Sequence, residues 1–364
     1  MSILSIKATC MRGGTSKCWV FERSELENRE LPMEDILLRA FGSPDTRQLD
    51  GVGGGTSTTS KAVILNPYDG DDCDVNYLFA QVGIKEPTVD WGSNCGNCSA
   101  VVALYAIEKG WVTPVDGTTT VRVYNENTGQ IIIQQIPTPD SKPVFDAEMV
   151  GSVYAGALVN IGFLDPAGKT TGKLFPTEQY LTELSTNGNT YATTLVDAGA
   201  PCVYVDAKSL GLDGKSRDEW TAVIDTRLSE LDDIRRQASV LMGLSKSKEL
   251  AAKAIPKLGV IGKGSNGADL RVQMLSMGER HPAMPVTGSV ALTLSTQYDN
   301  SVPSNLLGKT TKTGISLDTP SGVLQTFATE LDGLPVVGVA RTARTICQAV
   351  INVPTSPRPT ELGK

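Results

Sequence analysis

The stretch Asn94-Cys95-Gly96-Asn97-Cys98-Ser99-Ala100 runs directly into Val101-Val102-Ala103-Leu104-Tyr105-Ala106-Ile107-Glu108-Lys109-Gly110. The second part is rich in Ala, Val and Leu, ends in a Lys and meets a Gly, the usual signature of a helix stop. Asn94 or Asn97 is placed to cap that helix. The same order recurs once in the second half, where Met284-Pro285-Val286-Thr287-Gly288-Ser289-Val290 leads into a helix predicted over 287–295. Each half thus carries one small-residue helix entered through a Gly- or Pro-containing turn. This is a weak internal pseudo-symmetry, not a sequence repeat.

Strands outnumber helices around these two segments. Runs at 3–9, 17–21 and 61–65 read as strands, and 74–84 alternates through Val75, Tyr77 and Phe79. Segment 31–41 reads as a short helix. Segments 119–124 and 130–136 flank Asn125-Glu126-Asn127-Thr128-Gly129, a hairpin signal. Further strands are predicted at 157–161, 191–196, 201–206, 257–261, 269–276, 323–329 and 336–340, with 345–353 as a last one. A long helix, interrupted at some point, is predicted over 216–241. Segment 165–189, rich in Gly, Thr, Pro and Asn, is where a domain boundary is expected.

The chain has 364 residues, a length that suggests two domains. Apolar residues at 40% and charged residues at 20% are enough for a sizeable core. A net charge of −7 argues against a general binder of nucleic acid or anionic membrane. No apolar run of about 18 residues occurs, and the first residues lack a signal-peptide pattern, so a soluble, cytoplasmic protein is expected. The 36 glycines suggest tight turns and close backbone approach. The single His leaves little room for a His-based triad or a His-rich metal site. The 7 cysteines, at 10, 18, 73, 95, 98, 202 and 347, are odd in number and scattered, as reduced thiols would be.

Four segments carry chemistry. Cys95-Gly96-Asn97-Cys98 lacks the second pair a zinc site would need. Trp91 lies four residues before Cys95, which does not fit a thioredoxin-type dithiol. Two readings of Cys95 stay open. One is a reactive thiol whose pKa is lowered by the positive end of the helix. The other is a buried structural cysteine. The second segment, Asp50-Gly-Val-Gly-Gly-Gly-Thr-Ser-Thr-Thr-Ser-Lys61, fits neither a dinucleotide fingerprint nor a phosphate loop. It offers N–H groups and hydroxyls suited to an anion, followed by a Lys at the start of an apolar strand, where desolvation favours the neutral amine. The plain alternative is a surface loop with a snorkelling Lys. Met11-Arg-Gly-Gly-Thr-Ser-Lys17 is a second such loop, with Arg12 and Lys17 suited to a carboxylate. Segment 277–288 holds the lone His281 in a polar loop. Together these describe a pocket for a small polyanion with a thiol and an amine in reach.

The same residues resemble the PrpF (methylaconitate isomerase) family. The matching motifs are Met11–Lys17, Gly53–Lys61, Asn94–Asn97, Thr171–Thr177, Asp197–Pro201, Ser276–His281 and Val286–Gly288, in family order over nearly the whole chain. Departures occur at Cys18, Cys98 and Glu178, where the family usually has other residues. The resemblance implies an α/β (α+β) fold of two pseudo-symmetric domains like diaminopimelate epimerase. Each would wrap a mostly antiparallel sheet around a central helix, with the active site in the cleft between them. The domains would be 1–180 and 181–364, with the last strands returning to the first domain as an option.

The resemblance further implies a double-bond or cis/trans isomerase of a small unsaturated di- or tricarboxylate, using Lys61 and Cys95 as the acid/base pair. No cofactor and no metal are expected. Substrate-binding residues would be Arg12, Gly13, Gly14, Thr15, Ser16, Lys17, Gly54, Gly55, Thr56, Ser57, Asn94, Gly96 and Asn97. Arg271, Met277, His281, Thr287 and Gly288 would contribute from the second domain. The expected partner is the unsaturated polycarboxylate. A homodimer and a functional link to an aconitase-type hydratase are further options; nucleic acid and membrane are not expected. An amino-acid racemase on the same fold, a non-catalytic accessory protein to such a hydratase, and a thiol–disulfide protein are the competing readings.

Overall fold

The computed structural model describes residues 2–91, 95–252, 255–265, 267–276 and 278–356. The chain divides into two units: residues up to Ile161 together with those from Arg341 onward, and Gly162–Ala340. The division falls within the strand Ala157–Leu164, not at the expected 180/181 boundary. The Gly- and Thr-rich segment after it is a loop of the second unit. Its Thr170 and Thr171 N–H groups donate to Asp197 Oδ2, at 2.9 and 2.6 Å.

The first unit contains strands β1 (Ile3–Gly13), β2 (Ser16–Glu22), β3 (Lys61–Pro67), β4 (Val75–Val82), β5 (Val89–Asp90), β6 (Gly117–Asn125) and β7 (Gln130–Thr138). Its helices are α1 (Arg23–Leu26), α2 (Met33–Phe41), α3 (Gly96–Ser99) and α4 (Val101–Glu108). β1 and β2 form an antiparallel hairpin; β2 and β3 are parallel; β3 and β4 are antiparallel. β4 then pairs antiparallel with β5 and parallel with β6, which forms a hairpin with β7. The parallel steps need crossovers: α1 and α2 supply one, α3 and α4 the other. α4 is the centre. Val101 to Ala106 are all buried, and the helix touches β1, β4, β6 and β7. A helix apolar on every side is stable only when enclosed, so the sheet curls around it. Gly110, at φ 71°, ends it as the sequence suggests.

The second unit contains β9 (Thr182–Thr186), β10 (Asn189–Ala198), β11 (Ala200–Asp206), β12 (Lys257–Lys263), β13 (Leu270–Ser276), β14 (Glu279–Arg280), β15 (Ser316–Thr319) and β16 (Gly322–Leu331); β8 is the strand Ala157–Leu164 in which the units divide. Its helices are α5 (Arg217–Thr226), α6 (Leu228–Leu241), α7 (Val286–Ser295) and α8 (Val302–Leu307). α5 opens with a Ser216–Glu219 capping box, and the interruption of the long predicted helix falls at Arg227. The pairing repeats that of the first unit. β10–β11 are antiparallel, β11–β12 parallel and β12–β13 antiparallel; β13 takes β14 antiparallel and β15 parallel, and β15–β16 are antiparallel. Gly288 to Ser295 of α7 are all buried, as are Val101 to Ala106 of α4. The weak sequence pseudo-symmetry is therefore a full topological repeat. The last strand, β17 (Leu334–Pro354), is one continuous element where two were expected. Its first part pairs with β16 and its later part with β1.

Candidate active site

Lys61 is the first residue of β3 and is only 8% exposed. Its Nζ donates to Gln81 Oε1 at 2.6 Å and lies 4.9 Å from the centre of the Phe79 ring. Gln81 is the β4 residue directly opposite Lys61, and its Nε2 donates to the Ser60 carbonyl at 2.8 Å. The amine is therefore aimed by a strand neighbour that is itself fixed. Behind it, Gln48 ties the glycine loop. It accepts from the Gly55 N–H at 2.8 Å and donates to Ser60 Oγ at 2.7 Å. Any side chain at Gly53 would strike the Gln48 amide.

Cys95 is the N-cap of α3, and its Sγ accepts from the Cys98 N–H at 3.4 Å. Tyr77 Oη holds its carbonyl at 3.3 Å. The thiol feels the Lys61 charge. Its pKa is not lowered, as the helix position suggested, but raised well above its ordinary value. The hydrogen bond with the Cys98 thiol is the main cause and burial the second; Lys61 and the Cys98 N–H oppose them. Cys98 is itself raised, by burial and then by a hydrogen bond with the Cys18 thiol. Two of the family departures, Cys18 and Cys98, thus join Cys95 in a chain of three thiols. The dipole of one helix turn is outweighed by the Cys98 hydrogen bond together with desolvation.

The β1–β2 hairpin closes over the start of α3. Gly14 sits at φ 53°, and a Cβ there would lie 2.2 Å from Asn97 Oδ1; one on Gly13 would lie 2.3 Å from the Asn97 carbonyl. Only glycines permit this approach. Asn97 Nδ2 donates to Thr15 Oγ1 at 3.0 Å, and Asn97 Oδ1 accepts from Arg341 Nε at 3.0 Å. Burial pulls the Arg341 guanidinium down to about 10, with Cys95 opposing. The N–H groups of Gly96 and Asn97, in the first turn of α3, have no partner within that helix.

The structure thus brings Lys61, Cys95, Gly96, Asn97, Gly13, Gly14 and Thr15 together in one unit. Arg12 Nη1 clamps the hairpin through the Gly14 carbonyl and Thr342, at 3.1 and 2.8 Å, and its Nε and Nη2 are buried without a partner. Strand alternation puts Arg12 and Lys17 on the face opposite Cys18. Ser16 is buried in the hairpin, and the Thr56 hydroxyl is taken up by Thr58 and Thr59. Gly54, beside Thr59, and Gly55 shape the loop, and Ser57 is exposed on it. Asn94 and Met277 lie outside the described residues.

In the second unit, Arg271 gives Nε to Asp318 and Nη1 to the Lys215 carbonyl, both at 2.8 Å, and Nη2 to Ser265. All its nitrogens are engaged, so it braces β13. His281 Nδ1 accepts from the Ala283 N–H at 3.1 Å, and burial lowers its pKa, Lys257 adding to the effect. Thr287 and Gly288 lie in the first turn of α7.

Sequence reasoning missed Gln81, Arg341 and Lys257. Gln81 was findable from the register of adjacent strands. Lys257 repeats the pattern of Lys61, a Lys opening an apolar strand. Arg341 had no signal, because 244 residues separate it from Asn97. Among the described residues no three His, Cys, Asp or Glu side chains converge as metal ligands, and no helix is long and apolar enough to cross a membrane.

Two units of one topology, each with a sheet around a buried helix, make up an epimerase-like fold. The profile of the PrpF protein family matches residues 3–354, and the chain belongs to that family. It is 33% identical to a 2-methyl-aconitate isomerase of Shewanella oneidensis, over 96% of this chain and 97% of that one. It is 32% identical to a 4-oxalomesaconate tautomerase of Pseudomonas putida, over 95% of both chains. The crystal structure of a methylitaconate-delta-isomerase matches with a TM-score of 0.88 at 28% identity, over 99% of this chain and 100% of that one. A hydroxyproline epimerase from Agrobacterium vitis shares the fold, with a TM-score of 0.50 at 12% identity over 98% of this chain and 94% of that one. With these relatives, the chain is an isomerase.

Proposed function

We propose that this isomerase shifts the double bond of a small unsaturated di- or tricarboxylate, or exchanges its cis and trans forms, without a cofactor. 2-Methylaconitate or aconitate is the first candidate, methylitaconate or 4-oxalomesaconate the next. The reading rests on one observation above all: an aimed lysine and a helix-capping thiol lie in one environment beside backbone donors. The names of the relatives support the substrate class.

In this mechanism the Lys61 amine takes a proton from a carbon allylic to the alkene. Negative charge spreads as a dienolate onto a carboxylate or carbonyl. The Gly96 and Asn97 N–H groups and the Arg341 guanidinium are the donors that favour it, and donors fixed in advance stabilise such charge most. Cys95 then gives its proton to a different carbon. Its thiolate is transiently balanced by the Lys61 ammonium and Arg341, so the two groups titrate as a coupled pair. A raised thiol pKa suits Cys95 to be the donor and leaves abstraction to Lys61. Rotation within the dienolate before reprotonation gives the cis/trans outcome through the same intermediate.

Proton NMR in D2O tests the proposal, with cis- and trans-aconitate, 2-methylaconitate, methylitaconate and 4-oxalomesaconate as a panel. Turnover of at least one acid with deuterium entering at the new position is expected. Inertness toward the whole panel, with free amino acids exchanging at Cα instead, would mean a racemase.

A further inference from the structure

Two buried thiols beside Cys95 have no part in the proposed proton transfer. Cys98 is the third residue of α3 and Cys18 the third of β2, and both are fully buried. Cys95, the N-cap, is only partly buried. Its Sγ reaches over the first turn to the Cys98 nitrogen, 3.4 Å away. Residues three apart at a helix start share a face, so the two sulfurs leave the backbone on one side. The Cys95 and Cys98 thiols are hydrogen-bonded to each other, and so are those of Cys98 and Cys18. Tyr77, whose hydroxyl holds the Cys95 carbonyl, feels all three sulfurs. A cysteine kept for packing alone needs no thiol neighbour. Cys202, also fully buried, interacts with Lys257 and Tyr204 instead.

Access to the three is graded. A site that admits a carboxylic acid to Cys95 also admits a peroxide, which is smaller. Cys95 is the sulfur that such a molecule meets first, and Cys98 and then Cys18 follow it in the chain. The hydrogen bond to Cys98 and burial hold back the Cys95 thiolate, so its attack is slow; the Lys61 charge works the other way. That charge also favours Cys95 as the leaving thiolate of a disulfide, since a better-stabilised thiolate leaves faster.

We infer that Cys95, Cys98 and Cys18 form a disulfide relay that returns Cys95 to its thiol after oxidation by a peroxide. The Cys95 sulfur attacks hydrogen peroxide and the O–O bond breaks. Its proton goes to the departing oxygen, leaving a sulfenic acid and one water. The Cys98 thiol then displaces the sulfenic oxygen as a second water, and the Cys95–Cys98 bond forms. Cys18 attacks the Cys98 sulfur, the Cys95–Cys98 bond breaks, and the Cys18 proton ends on Cys95. In sum, two thiols and one peroxide give one disulfide and two waters. Without Cys98, the sulfenic acid is open to further oxidation to sulfinic acid, which is irreversible by ordinary thiols. The inference rests on the reading of Cys95 as a proton donor and adds its protection.

Stoichiometric hydrogen peroxide, followed by non-reducing tryptic mapping of the full chain, tests the relay. Cys18 falls in peptide 18–23, and Cys95 and Cys98 in 86–109. Cys10 and Cys347, which stand opposite each other across β1–β17, fall in other peptides. In wild type, 18–23 should be joined to 86–109, and most of the turnover should remain. In Cys18→Ala, 86–109 should carry an internal disulfide, and turnover should drop at least about tenfold until a dithiol reductant restores it. In Cys98→Ala, Cys95 should carry sulfenic or sulfinic acid with a similar loss, and this variant serves if Cys18→Ala fails to fold. Each variant is referred to its own untreated rate. Wild type that holds only the Cys95–Cys98 bond, acid on Cys95, or no linkage among the three would overturn the relay. So would a Cys98→Ala as resistant as wild type. The map needs no substrate, so a correctly linked protein that isomerises no acid of the panel would overturn the isomerase reading alone.

Discussion

The two units share one topology and differ where chemistry is placed. In the first, the strand-opening lysine faces a helix whose cap is a thiol. In the second, the equivalent lysine, Lys257, donates to Thr287 of a helix whose cap is a proline. A symmetrical racemase would need acid/base groups in both halves.

The largest expected effect lies in the first unit. Lys61→Ala and Cys95→Ser should each lower kcat at least about a hundredfold, the low end for a lost general acid or base. Adding Pro285→Cys to Cys95→Ser sharpens the comparison. The double variant places a thiol at the equivalent cap, and its kcat should stay as low as that of Cys95→Ser. Recovery would mean that the two caps are interchangeable. Gln81→Leu leaves Lys61 without its hydrogen-bonded guide; kcat should fall about tenfold or more, since small misplacements of reacting groups are costly, with the far-UV spectrum unchanged.

Smaller effects follow from the local packing. Gly14→Ala puts a Cβ at a positive φ and against Asn97. Equilibrium denaturation should show a loss of about 1–2 kcal/mol from the backbone alone, with more if Asn97 cannot move. The corresponding Gly199, at φ 67°, has its nearest neighbour at 3.4 Å, so Gly199→Ala should cost less. The smallest effect is on pH dependence. Cys95 works as a proton donor below its raised pKa and is lost as pH rises through it. The alkaline limb of kcat/KM should therefore lie above pH 9, the ordinary thiol value. Cys98→Ala removes the main cause of that elevation, and the limb should move to lower pH.

Much of this was legible in the sequence for physical reasons. The buried helices announced themselves by unbroken small apolar runs, and the β6–β7 hairpin by its Asn-rich turn. Gly13 and Gly14 pointed to a close approach, and Asn97 is what approaches. The direction of the Cys95 pKa was not legible, because it depends on the Cys98 thiol meeting it across a helix turn and on burial. Arg12, Lys17 and Arg271 looked like substrate ligands by residue type. In the structure the Arg12 guanidinium hydrogen-bonds to Gly14 and Thr342, and that of Arg271 to Asp318. The repeat was underestimated because it lives in strand pairing, which tolerates nearly complete divergence of side chains. Lys257 was visible only as a strand start until the β11–β12 pairing matched β12 to β3, whose first residue is Lys61.

The division of labour between Lys61 and Cys95 is tested most directly by following deuterium into unreacted substrate in D2O, using the acid that wild type turns over. In Cys95→Ser, Lys61 can still remove and return the allylic proton, so the substrate should exchange at its original carbon while product formation collapses. In Lys61→Ala, both exchange and product should be lost. Exchange that persists in Lys61→Ala but vanishes in Cys95→Ser would contradict the account and make the thiolate the base.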